Sequence, residues 1–342
     1  MDLLIFDMDG VLIDVSRSYR KAIERTTQLY LQTCLGLKDF AENLVEEKDV
    51  SLFKSVKGFN SDWDVTTALL LYLLSLSPLP PNQKREKPSS IEDLISHLRR
   101  NSFPFSIGEK RLFKRKNLTD FLKKVEFRGG GLTGVRQVLK GGWEGWVYGS
   151  GNLSQENLVK RIFQEVYLGE KFSSHYGLKP LVYKGRGYYW KEKLLIPPKI
   201  LSSLRKKVRL AIASGRTRFE AELALKRFRL STYFDALVTL DECEKEERRI
   251  LKLEGKIMKC SKPSPYPILR VVWEIGLSKP KCGYVGDVVD DMLAARSAKK
   301  ELDILAIGFI SDPRENDMKE SLIKAGADLV IEDPKDLLQL LK

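Results

Sequence analysis

Histidine is almost missing from this 342-residue chain, which holds only His97 and His175. Neither lies near any motif described below, so histidine-based nucleophilic chemistry and histidine zinc sites are set aside. Cysteine is sparse too. Cys34, Cys243, Cys260 and Cys282 are widely spaced with no Cys-x-x-Cys pair, which excludes an obvious zinc site or disulfide framework and fits a reducing cytoplasm. The longest apolar run, Ala68 to Leu76, is far short of a bilayer span, and the sequence opens on an apolar strand rather than a signal peptide. Gln, Asn and His are few beside abundant Lys, Glu and Arg, a composition that hints at a heat-adapted source.

What is there suffices for two ordinary cores, with 43% hydrophobic residues over this length. The formal charge of +13 is unevenly spread. Residues 1–14 and 208–342 carry 24 Lys and Arg against 27 Asp and Glu, a net of −3, whereas residues 15–207 carry 35 against 19, a net of +16. Such a field raises the local concentration of anionic substrates. A solvated, heat-adapted surface with no partner is the competing explanation.

The segment from Leu3 to Asp14 carries the most information. An apolar run, Leu3-Leu4-Ile5-Phe6, reads as a buried parallel strand that delivers Asp7 and Asp9 to a turn at Gly10. Alternation along an extended chain points both carboxylates to one side. Two like charges so close need a cation or a proton. Magnesium would satisfy them, leaving one aspartate as nucleophile and the other to exchange a proton with the leaving group. Taken alone, the same residues also describe a strand ending in an Asp-Gly turn.

Three further segments follow in order. A second strand from Val208 to Ala213 runs into Ser214-Gly215-Arg216-Thr217 ahead of a helical pattern from Phe219 to Phe228. The Ser214 hydroxyl and the Gly215 amide at a helix N-terminus suit a phosphate oxygen, although Ser214 or Thr217 could equally serve as an N-cap. Ser261-Lys262-Pro263-Ser264-Pro265-Tyr266-Pro267 reads as an extended, proline-fixed approach to a helix, with Lys262 at its mouth. Among 59 Lys and Arg residues one lysine is ordinarily a surface charge; the rigid setting singles this one out. A strand at Gly283 to Gly286 then ends in Asp287, Asp290 and Asp291 before an Ala-rich helix from Met292 to Ala298. Asp287 stands where it could share a metal with Asp7. Asp291 could orient Lys262 or metal-bound water, and the alternative for Asp290 and Asp291 is simple charge at a helix N-terminus.

Together, Asp-x-Asp-Gly-Val, Ser-Gly-Arg, Lys-Pro-x-Pro and Gly-Asp-x-x-Asp-Asp resemble the four signature motifs of the haloacid dehalogenase superfamily, specifically its aspartate-nucleophile phosphatases. The resemblance implies an α/β, Rossmann-like three-layer core with a parallel sheet over residues 1–15 and 205–342, interrupted by a large, mainly helical cap domain over residues 16–204. It also implies roles. Asp7 would be the nucleophile, and Asp9 the general acid and then base. Ser214 would bind the transferring phosphoryl group, with Gly215 and Arg216 beside it, and Lys262 would neutralise its charge. Mg2+ would be held by Asp7, the backbone carbonyl of Asp9 and Asp287, with Asp291 behind them or bound through water.

In the insertion, Ser16 is expected to cap a helix running to about Leu35. The segment from Lys54 to Asp64 precedes an apolar helix from Val65 to Leu76. Lys57, Asn60, Asp62 and Trp63 crowd this loop and are the candidates for reading the substrate's leaving group; equally, Asp62 and Asp64 cap the helix while Trp63 packs internally. Residues 77–90 read as a solvated, proline-rich loop, and short helices are expected at 91–100, 117–126 and 154–168. The glycine-rich stretches at 129–134 and 141–146 lack the Gly-Lys-Ser/Thr ending of a phosphate loop and a preceding strand, and read as flexible turns. Tyr183, Tyr188, Tyr189 and Trp190, interleaved with Lys184, Arg186 and Lys191, read as core aromatics under Lys stems in preference to a base-stacking surface.

The implied activity is hydrolysis of a phosphomonoester, through an aspartyl phosphate, on a small anionic metabolite such as phosphoglycolate or a sugar phosphate. Asp9 distinguishes this class from the dehalogenases, which need no such acid, and from the phosphonate-cleaving relatives, which use a cap lysine instead. A phosphomutase shares all four motifs and is the nearest alternative; a nucleic-acid-binding protein using the basic cap is the alternative from another class. The expected partner is a small phosphorylated metabolite, with no membrane and no nucleic acid, and with a homodimer through the enlarged cap left open.

Overall fold

The computed structural model describes residues 1–37, 44–76, 89–101, 117–311 and 316–341. The chain divides into two compact units, Met1–Val15 with Lys193–Lys342, and Ser16–Glu192.

The first unit is built on a parallel sheet ordered β5-β4-β1-β6-β7-β8, where β1 is Leu3–Phe6, β4 Arg209–Ala213, β5 Ala236–Val238, β6 Lys281–Gly286, β7 Asp303–Phe309 and β8 Leu329–Ile331. Strand β1 is buried along its whole length, as a central strand covered on both faces should be. It pairs with β4 through Leu3↔Arg209 to Phe6↔Ile212 and with β6 through Leu3↔Cys282 to Phe6↔Val285. The helices Tyr266–Ile275 and Val289–Ala298 pack Ile268, Val271, Met292 and Ala295 onto Ile5, Ala211, Tyr284 and Ala306. Burial of each large aliphatic side chain there contributes about 1.5–3 kcal/mol, and the alanines on the 289–298 helix bring its backbone close to the sheet. Sequence order reverses across β1, with β4 on one side and β6 on the other, which opens a crevice at the strands' carboxyl ends.

The later unit boundary falls at Glu192/Lys193 instead of 204/205. The physical reason is a short antiparallel pair in which β2, Ile13–Asp14, meets β3, Lys193–Leu194, with Leu195 N–H donating to the Leu12 carbonyl at 3.0 Å. The helix Pro198–Arg205 also belongs with the sheet, its Arg205 pairing with Asp235 at 2.9 Å. Lys193, Lys199, Arg205, Lys206 and Lys207 therefore count with the first unit. Its balance becomes 29 basic against 27 acidic residues, and that of the inserted unit 30 against 19, so the charge asymmetry is +2 against +11.

The inserted unit is helical. Its first helix is Tyr19–Leu29, continued by a π-helical turn at Tyr30–Cys34. Ser18, not Ser16, stands at its start, and its side chain makes no capping bond to the helix; the hydroxyl is turned to Glu192 at 3.4 Å. The helix Asp62–Ser75 starts three residues earlier than its apolar run suggests because Ser61 caps it, accepting from Asp64 N–H at 3.3 Å. Val65 to Leu74 are buried all round, the mark of a core helix. Ile91–Arg100 and Leu118–Phe127 match expectation, while the third short helix starts later, at Leu158, capped by Asn157. The glycine-rich segment is not a flexible turn. Gly130, with φ of 78°, starts the helix Gly131–Leu139, and a Cβ there would lie 2.2 Å from the Lys57 carbonyl, so glycine permits a close backbone docking. Residues 141–146 do form turns, yet Trp143 and Trp146 in them are buried. Of the loop expected at 77–90, only Ser89 and Ser90 fall within the described residues. Among the described residues, no helix is long and apolar enough to cross a membrane.

Candidate active site

The carboxyl ends of β4, β1 and β6 hold the candidate residues of the first unit. Asp7 follows β1 directly, and its N–H still pairs with the Val285 carbonyl at 2.8 Å, which fixes the nucleophile candidate to the end of β6. The chain then turns tightly, with Leu12 N–H donating to Met8 and Gly10 N–H to Ile13. Gly10 adopts φ of 72°, and a Cβ at that position would sit 1.9 Å from Asp287 Oδ2. Glycine is needed there for conformation and for the space the Asp287 carboxylate occupies.

Lys262 is the hub. Its buried ammonium donates to Asp7 Oδ1 at 2.7 Å, to Asp291 Oδ1 at 2.6 Å and to the Tyr284 hydroxyl at 3.1 Å. The loop that carries it is a turn with a cis Lys262–Pro263 peptide, not an extended approach, and leads into the helix at Tyr266. Asp291 is fully engaged: besides Lys262, its Oδ1 accepts from Tyr284 Oη at 2.8 Å, and its Oδ2 accepts from the amides of Asp287 and Val288 at 3.1 and 3.2 Å. It thus fixes both the lysine and the turn that presents Asp287. Gly286 permits this, since a Cβ there would stand 2.3 Å from Asp291 Cβ.

The electrostatics follow from this packing. Burial pushes Asp7 upward, Lys262 opposes it, and the carboxylates of Asp291 and Asp9 add to the rise, giving a value of about 7. Burial works against the charged form of Lys262, but Asp291 and Asp7 outweigh it and hold the ammonium protonated well above the usual range.

Asp7, Asp287 and Asp291 each offer an oxygen within 4.8 Å of the others. With Asp7 ionised, these three carboxylates set against the single ammonium of Lys262 leave two negative charges, which one divalent cation balances. Oxygen-only donors suit a hard ion such as Mg2+. The residues present therefore fit a metal, with Asp7 and Asp287 as direct ligands and Asp291 behind them.

Ser214 lies just past β4, 3% exposed, its N–H bonded to the Val238 carbonyl. The N-cap of the following helix, Arg218–Arg227, is Thr217, in a reciprocal capping box with Glu220. Ser214 is thus not the cap; its Oγ accepts from Arg216 N–H at 3.2 Å. Arg216 sits where the expectation was a phosphate ligand, yet its side chain is 0% exposed and pairs with Asp9. Gly215 bridges these two residues in sequence.

The loop candidates Lys57, Asn60, Asp62 and Trp63 lie in the other unit. There Lys54 Nζ meets Asp62 Oδ1 at 2.8 Å and the Asn60 carbonyl at 2.7 Å. Lys160 Nζ lies 3.8 Å from the Trp63 ring centroid, and Phe163 meets the same ring edge-on. Asp62 and Trp63 thus serve the unit's own packing, whereas the Lys57 side chain is exposed. Of the aromatic group expected in the core only Tyr189 is buried; Trp190 is 42% exposed with Arg186 over its ring, and Lys191 Nζ lies 3.5 Å from the ring centroid of the half-buried Tyr188.

Two features escaped the sequence. One is Tyr284, whose hydroxyl completes the Lys262–Asp291 network; a tyrosine inside an otherwise apolar strand is the available signal, since a buried hydroxyl needs a partner. The other is the Arg216–Asp9 pair, which joins segments 207 residues apart.

Residues 198–302 match the family model of haloacid dehalogenase-like hydrolases. A relative from Caldanaerobacter subterraneus subsp. tengcongensis, named "Putative pyrophosphatase PpaX", is 30% identical over 144 residues, 42% of this chain and 56% of the relative. The chain thus spans little more than half the length of that curated relative. The X-ray structure of a Northeast Structural Genomics Consortium target, ZR25, superposes with a TM-score of 0.64 at 20% identity, covering 100% of this chain and 98% of the other, a likeness of fold.

Proposed function

We propose that this chain belongs to the haloacid dehalogenase superfamily, whose family model matches residues 198–302, and that it is a magnesium-dependent phosphomonoester hydrolase working through an aspartyl phosphate. The observation that carries the proposal is the buried Asp7–Lys262–Asp291 chain of ion pairs beside Asp287 at the carboxyl ends of β1 and β6. Asp7 attacks phosphorus in line; its P–O bond forms as the bond to the leaving oxygen breaks, and Asp9 supplies the proton that oxygen takes up. Asp9 then draws a proton from water, whose attack on phosphorus frees Asp7 and releases phosphate. Lys262 and Ser214 balance the phosphoryl oxygens. Bound Mg2+ supplies further charge neutralisation on those oxygens.

The substrate we propose is a small phosphorylated metabolite such as phosphoglycolate or a sugar phosphate; the relative's name adds inorganic pyrophosphate to the compounds worth testing. Among the loop candidates Lys57 is the strongest for substrate reading, and Lys57→Ala is expected to raise KM for the preferred substrate with little change in kcat. The test of the whole proposal is phosphate release from a panel of small phosphomonoesters and pyrophosphate, with and without Mg2+, for the wild type and Asp7→Asn. Release that needs both the ion and Asp7 is the expected result. Undiminished release by Asp7→Asn would overturn the mechanism. Trapping of the phosphoryl group by a sugar phosphate instead of water would identify a phosphomutase.

A further inference from the structure

Arg216 is one of the largest fully buried side chains of the protein. An arginine with a side chain 0% exposed pays heavily in lost hydration unless its guanidinium is paired and hydrogen-bonded. Here Nε donates to Asp9 Oδ1 at 2.7 Å, and Nη2 stands 2.6 Å from the same oxygen in an ion pair. The arginine backbone is itself pinned: its N–H donates to Ser214 Oγ, and its carbonyl accepts from Leu240 N–H at 2.9 Å. The guanidinium therefore has a fixed origin, and Asp9, 26% exposed at its side chain, is the more mobile partner without it. Two guanidinium nitrogens at a single oxygen fix the carboxylate plane and leave Oδ2 as the oxygen able to meet a substrate.

We infer that Arg216 is a positioning residue for proton transfer: it clamps Oδ1 of Asp9 so that Oδ2 faces the leaving-group oxygen. This rests on the phosphatase reading above. In the first step the Asp7–phosphorus bond forms and the ester P–O bond breaks, its electron pair going to the leaving oxygen, which takes the proton from Asp9 Oδ2. Arg216 neither gains nor loses a proton; it acts through Asp9. The inference separates Arg216 from Ser214 and Gly215, beside which the family resemblance had placed it in substrate binding. A phosphate ligand would govern all phosphomonoesters alike, whereas a residue that aims an acid matters in proportion to how badly the leaving group needs a proton.

That difference is the experiment. With Mg2+ present, kcat/KM, which reports steps through leaving-group departure, is measured for p-nitrophenyl phosphate and for the alkyl phosphomonoester that ranks first in the panel. Arg216→Met is expected to lose about 100-fold on the alkyl ester and at least about tenfold less than that on the aryl ester. Arg216→Lys, which retains a single donor, should fall between Met and wild type with the same ordering, and it serves equally if the Met variant fails to fold. In an Asp9→Asn background, Arg216→Lys should add almost nothing further. Equal losses on both esters, or additive losses in the double variant, would overturn the inference while leaving the phosphatase standing. Wild-type protein inert on every ester would overturn the phosphatase reading and this inference together.

Discussion

At the level of single residues, the site is governed by where a Cβ can and cannot go. Gly10 combines a left-handed φ with a position at which a Cβ would overlap the Asp287 carboxylate. Gly10→Ala is therefore expected to displace Asp287, weakening Mg2+ binding in a calorimetric titration by tenfold or more, on the order of 1.4 kcal/mol, and lowering phosphate release in step. Unchanged metal affinity would mean that Asp287 lies outside the metal site. The Asp-x-Asp-Gly pattern made these residues legible, because a strand that ends in two carboxylates and a glycine places its acids whatever lies elsewhere. Arg216 and Tyr284 were not legible for the opposite reason: their roles depend on partners from remote segments, and no local spacing encodes which buried donor meets which acceptor.

Among elements, strands β1, β4 and β6 and the helices after β4 and β6 could be read from apolar runs bounded by turn residues, with ends displaced by one to three positions where a cap intervened, as at Ser61 and Thr217, whereas β5, β7 and β8 carry no motif and were not read. Glycine-rich segments misled because glycine reports backbone freedom without saying whether it serves mobility or a close approach; the Lys57–Gly130 contact is of the second kind. Two carboxylates hold the irregular segment after the helix Leu158–Leu168. Glu165 is buried, pairs with Arg161 at 2.9 Å and accepts from the amides of Leu181, Val182 and Tyr183. Glu165→Ala strands a buried guanidinium and should cost about 3–5 kcal/mol in denaturant unfolding; a loss below about 1 kcal/mol would show that water reaches Arg161. Glu170 clamps the other end, accepting from Tyr189 Oη at 2.6 Å, Gly187 N–H at 3.0 Å and Trp190 Nε1 at 2.8 Å. Burial alone would raise its pKa, but these donors outweigh it and bring it to about 2, against an ordinary 4.5. Because the folded value is depressed, its stabilisation is complete above about pH 4.5 and fades as pH falls through about 2. The stability gap between wild type and Glu170→Gln should accordingly be largest above pH 4.5 and shrink toward pH 2, with Trp190 fluorescence following it.

For the whole molecule, composition foretold two units and a basic insertion, but not how the charge divides, because the strand pair β2–β3 returns five basic residues to the first unit. Both units are then net positive, +2 and +11, and the chain as a whole carries +13. A positive field acts on encounter with an anion and leaves the chemistry of the bound state untouched, so it belongs in kcat/KM rather than kcat. Screening shortens its reach from about 14 Å at 0.05 M salt to about 4 Å at 0.5 M. For a trianionic substrate such as phosphoglycolate, kcat/KM should therefore fall several-fold across that range while kcat holds constant, and the dianionic p-nitrophenyl phosphate, with one fewer charge, should fall less. If both substrates proved indifferent to salt, the excess lysine and arginine would be a solvated surface, and capture of substrate would rest on Lys262, Ser214 and the metal alone.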